Sequence, residues 1–251
     1  MNFDKSKIIR INGDASFRKF YRKKIKNKSS IIIYSKKEKN KNLLNYDAIN
    51  KLLNKNKISS PELISDNFKK NFIEVEDLGE KSVLDILKKK KNSKIVIYKK
   101  ILKILIKLQK IKTKRIKNFK NKFYKIPNYS KKLIFNEANL FLDWYVPQVI
   151  NKSKIFRIKK DLKKIIASLT KKIQLSNDTF VHRDFHVSNL MVDKKKISLI
   201  DSQDAVYGNI AYDLASLIDD VRIKTSKNLK ETIYKNYLNL KKKKINKKKF
   251  K

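Results

Sequence analysis

The chain has 251 residues, 41% of them hydrophobic, enough for one two-lobed domain or two small ones and too apolar for global disorder. Cysteine is absent, which excludes disulfides, thiolate metal sites and cysteine nucleophiles and fits a reducing cytoplasm. The formal net charge is +42, yet the basic residues are overwhelmingly lysines spread along the whole length, and the arginines are only Arg10, Arg18, Arg22, Arg115, Arg157, Arg183 and Arg222. With abundant Asn and Ile and only 3 glycines, this is the signature of A/T-rich codons, not of a nucleic-acid-binding stripe, and no specific nucleic-acid partner is expected. The opening MNFDKSKIIRINGD lacks a signal-type apolar core, and no apolar run approaches the roughly 18 residues that span a bilayer, so no membrane insertion is expected.

In chain order, Lys7 to Asn12 alternates weakly and ends at the turn signal Gly13-Asp14. Phe17 to Lys24 alternates aromatic and basic residues, as a strand with one buried face does, and Ser30 to Ser35 is a second strand pattern rich in Ile. Asn42 to Asn54 places Leu43, Leu44, Ala48 and Leu52 at helical spacing, and Leu63-Ile64 and Asn71 to Val75 read as two more strands. From Lys81 onward helices dominate. Ser82 caps Val83 to Lys90, and Ile95 to Ile111 carries Ile97, Ile101, Ile104, Leu105 and Leu108 on one face. Lys112 to Pro127 is basic and poor in apolar residues and is expected to be a loop; Tyr129 to Val146 and Arg157 to Leu175 are expected helices. Tyr212 to Val221 and Asn228 to Leu240 close the helical part. The expected organisation is α+β: an N-terminal lobe over 1–79, a helical catalytic lobe over 80–240 and a basic tail over 241–251.

The densest chemistry lies in FVHRDFHVSNLMVDKKKISLIDSQD, Phe180 to Asp204. His182-Arg183-Asp184, four residues and Asn189 reproduce the H-R-D-x-x-x-x-N pattern of a kinase catalytic loop. Two short strands, Leu190 to Val192 and Ile197 to Ile200, flank a turn at Lys194 to Lys196, and the second ends in Asp201. Phosphoryl transfer needs a positioned nucleophile, a group for its proton and cations over the phosphates. Asp184 suits the catalytic base; Asn189 and Asp201 offer the hard oxygen ligands that Mg²⁺ prefers. His182 and His186 stand four apart without cysteine or an evident third ligand, which disfavours a zinc or iron centre.

Four segments carry a resemblance: GDASFRKFYR (Gly13 to Arg22), VEDLGE (Val75 to Glu80), EANLFLDWY (Glu137 to Tyr145), and VHRDFHVSNLM (Val181 to Met191) with IDSQDAVYGNIAYDLASL (Ile200 to Leu217). The chain resembles the aminoglycoside phosphotransferase and choline kinase-like superfamily, and within it is most similar to the bacterial N-acetylmuramate/N-acetylglucosamine anomeric kinases. The resemblance implies a protein-kinase-like two-lobed fold, with ATP between a small antiparallel β-sheet lobe and a mostly helical lobe. It implies a phosphate-covering turn using Gly13, Ser16 and Arg18, and a hinge at Glu74 to Leu78 that includes Glu76. Asp213 would brace the catalytic loop, while His186, Asp204, Glu137 and Trp144 would lie by the sugar. A strand lysine for the phosphates is not evident, which leaves Arg18 or Arg22 to supply that charge, and the region after Leu240 is shorter than the family's further helices. The implied protein is a cytoplasmic, monomeric, ATP- and Mg²⁺-dependent sugar kinase of cell-wall recycling. The alternatives are a kinase for an aminoglycoside, choline or homoserine, and a catalytically idle basic binding protein.

Overall fold

A computed structural model describes residues 8–11, 17–26, 28–89, 94–173, 178–193 and 196–241. The turn residues Gly13 to Ser16, the Lys194-Lys195 turn and the tail after Lys241 therefore lie outside the described residues.

The alternating stretch forms β2 (Lys19–Ile25), which pairs antiparallel with β1 (Ile8–Ile11) on one side and β3 (Lys28–Tyr34) on the other. Period-two patterning sets one face of the sheet: Phe20 lies opposite Ile33 and Arg22 opposite Ile31, so these four side chains point the same way. β4 (Leu63–Asn67) and β5 (Phe72–Glu76) complete a five-stranded sheet in the order β1-β2-β3-β5-β4. Between β3 and β4, a π-helical turn over Asn40–Asn45 runs into α1 (Tyr46–Lys55), whose Ile49, Leu52 and Leu53 are fully buried.

After Gly79 the chain enters α2 (Val83–Lys89) through a capping box: Asp85 N–H donates to Ser82 Oγ (3.2 Å) and Ser82 N–H donates back to Asp85 Oδ2 (2.8 Å). α3 (Lys94–Leu108) buries Tyr98, Ile101, Leu102, Leu105 and Leu108, the stripe its spacing dictates, and packs against α8 (Lys227–Lys241) through Ile233 and Tyr237. The segment expected as a loop instead holds a hairpin, β6 (Arg115–Lys117) with β7 (Phe123–Lys125). Its apolar residues are few but placed to anchor it: Ile126 is buried, and Phe119 sits edge-on to Phe68 of the sheet lobe at 6.0 Å.

α4 (Lys131–Leu140) starts two residues later than the pattern suggested, because Ser130 caps it and Tyr129 is used elsewhere, its N–H donating to the Tyr207 carbonyl (2.7 Å). The helix loosens into a π turn over Phe141–Tyr145 before α5 (Val146–Val149), at Pro147, which cannot donate to the preceding turn. α6 (Lys152–Lys171) begins five residues before the expected start, with Asn151 as its cap. β8 (Thr179–Val181) pairs with β11 (Val206–Gly208), a two-stranded ladder with no local signal because its strands lie 25 residues apart. β9 (Leu190–Asp193) and β10 (Lys196–Leu199) form the expected hairpin, and α7 (Tyr212–Ile218) follows.

Strands give way to helices near Gly79, but the core does not divide there. Ile49, Leu52 and Leu53 of α1 belong to the same buried cluster as α3, Phe185, Leu190 and Tyr237, while Ile33, Leu43, Tyr46, Ile73 and Val75 form a smaller cluster under the sheet. The helix of the sheet lobe is thus seated in the helical lobe.

Candidate active site

The catalytic-loop residues leave β8 at Val181 and turn under the sheet. Two residues of the site adopt left-handed backbone conformations that cost energy for any side chain: Arg183 (φ 76°) in this loop and Asp201 (φ 65°) after β10. What holds the first turn is Asp213 at the start of α7, whose two carboxylate oxygens accept the N–H groups of His182 (2.8 Å) and Arg183 (3.1 Å). Burial pushes the Asp213 carboxyl up to about 7, against the lowering effect of those two N–H groups. A second aspartate, Asp220, accepts the N–H of Val187 (3.2 Å) and that of Arg222 (3.0 Å), fixing the loop from the other end of α7. His182 is fully buried, and burial holds its imidazole neutral with a pKa down to about 4.

Asp184, Asn189 and Asp201 converge on one cavity of about 1120 Å³. Ile9, Phe20, Ile31 and Val75 supply its apolar roof, Glu76 to Glu80 its edge, and Met191, Ile200 and Asp204 continue its floor. Asn189 Nδ2 donates to the Asp184 carbonyl (3.1 Å), which leaves the amide oxygen for a cation. His186 lines the same cavity and braces Asn189: its Nε2 lies 3.2 Å from Asn189 Nδ2 and its Nδ1 2.9 Å from Ser188 Oγ. An amide NH₂ can only donate, so Nε2 is the acceptor and Nδ1 carries the proton. Burial raises the Asp184 carboxyl, and the negative charges of Asp201 and Asp204 raise it further. Burial also acts to raise Asp201, but the charge and hydrogen bond of Arg18 outweigh it and hold that carboxyl below its ordinary range.

Arg18 bonds Asp201 Oδ1 and, through Nη1, Gln203 Oε1 (2.8 Å). Arg22 is spent differently: it grips Asp77 with Nε and Nη2 (2.7 and 3.2 Å), Glu80 with Nη1 (2.7 Å) and the Gly79 carbonyl (3.1 Å). Asp204 lines the cavity, with Oδ1 2.8 Å from Lys41 Nζ and Oδ2 accepting from Gln203 Nε2 (2.8 Å). Glu76 stands exposed at the cavity edge.

Two residues placed beside the sugar by the resemblance do not line this cavity. Glu137 accepts from Tyr129 Oη and from Arg183 Nη2 (2.5 Å), so it reaches the site only through Arg183, whose Nη1 lies 3.8 Å from Asp204. Trp144, on the π turn, is 75% exposed and is not core either. In the sequence, Lys41, Asp220 and Arg222 carried no role, and Gln203 entered only as part of the IDSQDAVYG segment. Their roles depend on partners that spacing does not reveal, up to the 185 residues that separate Arg18 and Gln203.

Among the described residues no group of three or more His, Cys, Asp or Glu side chains could hold a metal ion. One amide oxygen and one carboxylate remain, a donor set that fits Mg²⁺, which keeps several waters and takes its other ligands from phosphates.

An H-R-D-x-x-x-x-N loop, a hairpin followed by Asp201 and a cleft under a small sheet define a protein-kinase-like fold. Residues 7–243 match the family described as phosphotransferase enzyme family, and the chain belongs to that family. It is similar to the N-acetylmuramate/N-acetylglucosamine kinase of Neisseria meningitidis serogroup B, at 26% identity over 213 residues, 84% of this chain and 60% of that protein. The chain thus spans about three fifths of the length of the curated relatives it matches. Among solved structures, it superposes on APH(2")-IIa from a streptomycin–ATP ternary complex (TM-score 0.62, 13% identity, 92% of this chain and 77% of that one). It also superposes on choline kinase LicA of Streptococcus pneumoniae (TM-score 0.62, 16% identity, 97% and 78%).

Proposed function

We propose that this protein is an ATP- and Mg²⁺-dependent small-molecule kinase that phosphorylates a sugar hydroxyl, the anomeric hydroxyl of N-acetylmuramate or N-acetylglucosamine. The observation that carries the reading is the convergence of Asp184, Asn189 and Asp201 on one cavity with an apolar roof. The names of the curated relatives support the acceptor class. The apolar surfaces of Ile31 and Val75 above and Met191 and Ile200 below suit a flat base, and the backbone at Glu76 and Asp77 borders that slot. Asn189 and Asp201 would hold Mg²⁺, whose charge offsets that of the phosphates. Asp184 would take the proton of the acceptor hydroxyl; its raised pKa makes it a better base than an ordinary carboxylate. Asp204 would meet a sugar hydroxyl beside Lys41. Gly13 and Ser16 would complete the phosphate cover. A cytoplasmic monomer acting in cell-wall recycling is the setting this reading implies.

The deciding assay is acceptor-dependent ADP release from Mg²⁺-ATP with N-acetylmuramate, N-acetylglucosamine, glucose and choline offered in parallel. Turnover with the two N-acetylated sugars and a sugar 1-phosphate product is expected. Turnover with choline alone would overturn the acceptor assignment, and none with any acceptor would overturn the kinase reading.

A further inference from the structure

Transfer from a nucleotide needs a fixed cation over the phosphates, preorganised so that it costs no rearrangement at the moment of reaction. The central strand does not provide one: the cavity-lining residues of β3 are Ile31 and Ile33. Three other basic side chains that line the cavity are already committed. Arg22 is engaged by Asp77, Glu80 and Gly79; Lys41 lies between Asp204 (2.8 Å) and Glu38 (3.5 Å); Arg222 pairs with Asp220 (3.3 Å). Arg10 also borders the cavity, but in the β1–β2 register it lies opposite Tyr21, on the other face of the strand from Ile9 and Ile11.

Arg18 differs. It lies two residues before Phe20 on the neighbouring strand's line, its guanidinium 5.2 Å from the centre of the Phe20 ring, with a side chain only 6% exposed. The fork is aimed across the cleft, one nitrogen on Asp201 and one on Gln203. Asp201 is also the carboxylate proposed to hold the metal, so guanidinium and cation draw on the same group. We propose that Arg18 is the phosphate-binding residue that replaces the missing strand lysine, and that Asp201 is shared between Arg18 and the metal, positioning the one against the other. The proposal rests on the ATP and Mg²⁺ reading above. It separates the two candidate arginines: Arg18 serves the phosphates, whereas Arg22 ties β2 to the segment bordering the base.

The test is binding, measured on the whole chain: Mn²⁺ by paramagnetic resonance, ADP and adenosine by calorimetry, the last two without metal. In Arg18→Gln, Mn²⁺ should bind severalfold more tightly because its carboxylate loses a competitor, ADP should bind about tenfold or more weakly, and adenosine should be unchanged. Arg18→Lys, which keeps the charge without the fork, should lose ADP affinity to a smaller degree, and it serves where the Gln variant does not fold. Arg22→Gln should weaken adenosine and ADP together. Equal losses of adenosine and ADP in Arg18→Gln, or unaltered Mn²⁺ affinity, would overturn the proposal. If the unsubstituted protein binds neither adenosine nor ADP, it is the nucleotide reading itself that fails.

Discussion

Burial raises the Asp184 carboxyl, and the negative charges of Asp201 and Asp204 in the same cavity add to it, so its proton is held above the ordinary carboxylate range. The sign of the consequence is fixed. In its proposed role as base, Asp184 acts only where it is deprotonated, so kcat/KM should fall on the acid side of a limb displaced upward from that range. Asp204→Asn removes one of the charges that raise Asp184, and the limb should move down; a limb that stays in place would show that Asp184 does not govern it. Asp184→Asn should cost roughly 10²–10⁴-fold in kcat at all pH values, measured by ADP release. Neither substitution should unfold the chain, since the backbone of the loop is held by Asp213 and Asp220, not by these side chains.

The catalytic loop is an element whose shape depends on another element. Arg183 takes a left-handed conformation because the Asp213 carboxylate, fixed at the start of α7, accepts two consecutive N–H groups. In Asp213→Asn one acceptor becomes an NH₂ facing an N–H, which should cost about 1–3 kcal/mol in denaturant unfolding. The pH dependence discriminates. The folded Asp213 carboxyl titrates near 7, above its unfolded value of 3.8, so its protonated form favours the native state. That contribution is complete below the unfolded value and is lost as pH rises to about 7 and beyond. Asparagine does not titrate, so the stability advantage of the unsubstituted protein over the variant should shrink from pH 4 to pH 8. An advantage that grows over this interval would contradict the buried-carboxyl account.

At the scale of the whole molecule, the positive charge is a surface property and the site is an interior one. Around the cleft, carboxylates are paired with Arg18, Arg22, Lys41 and Arg183, while most lysines lie elsewhere. A net charge of +42 makes the compact state repel itself, so added salt should raise the melting temperature and weaken binding to heparin steeply. Heparin binding that survives 0.5 M salt would favour a built polyanion site over a diffuse charge. No helix among the described residues is long and apolar enough to cross a membrane. The lobes are joined by more than the covalent link at Gly79: Ser202 Oγ donates to Asn50 Oδ1 of α1 (2.5 Å), and Leu199 N–H donates to the Ser59 carbonyl (2.8 Å).

By itself the sequence determined what depends on short spacing. Alternation in Phe17 to Lys24, the apolar stripe of α3, the cap at Ser82 and the H-R-D-x-x-x-x-N run with its hairpin and terminal aspartate were all legible, because the interactions they report span only a few residues. Only the tertiary structure decided the rest: that β8 pairs with β11, that the lysine-rich stretch after Leu108 folds as a hairpin, and that Trp144 faces solvent. It also distinguished Arg18 from Arg22, four residues apart on one strand line and alike in sequence. The physical reason is that a charged side chain is assigned by the partner that compensates its burial, and for Arg18 that partner stands 183 residues further on, at Asp201.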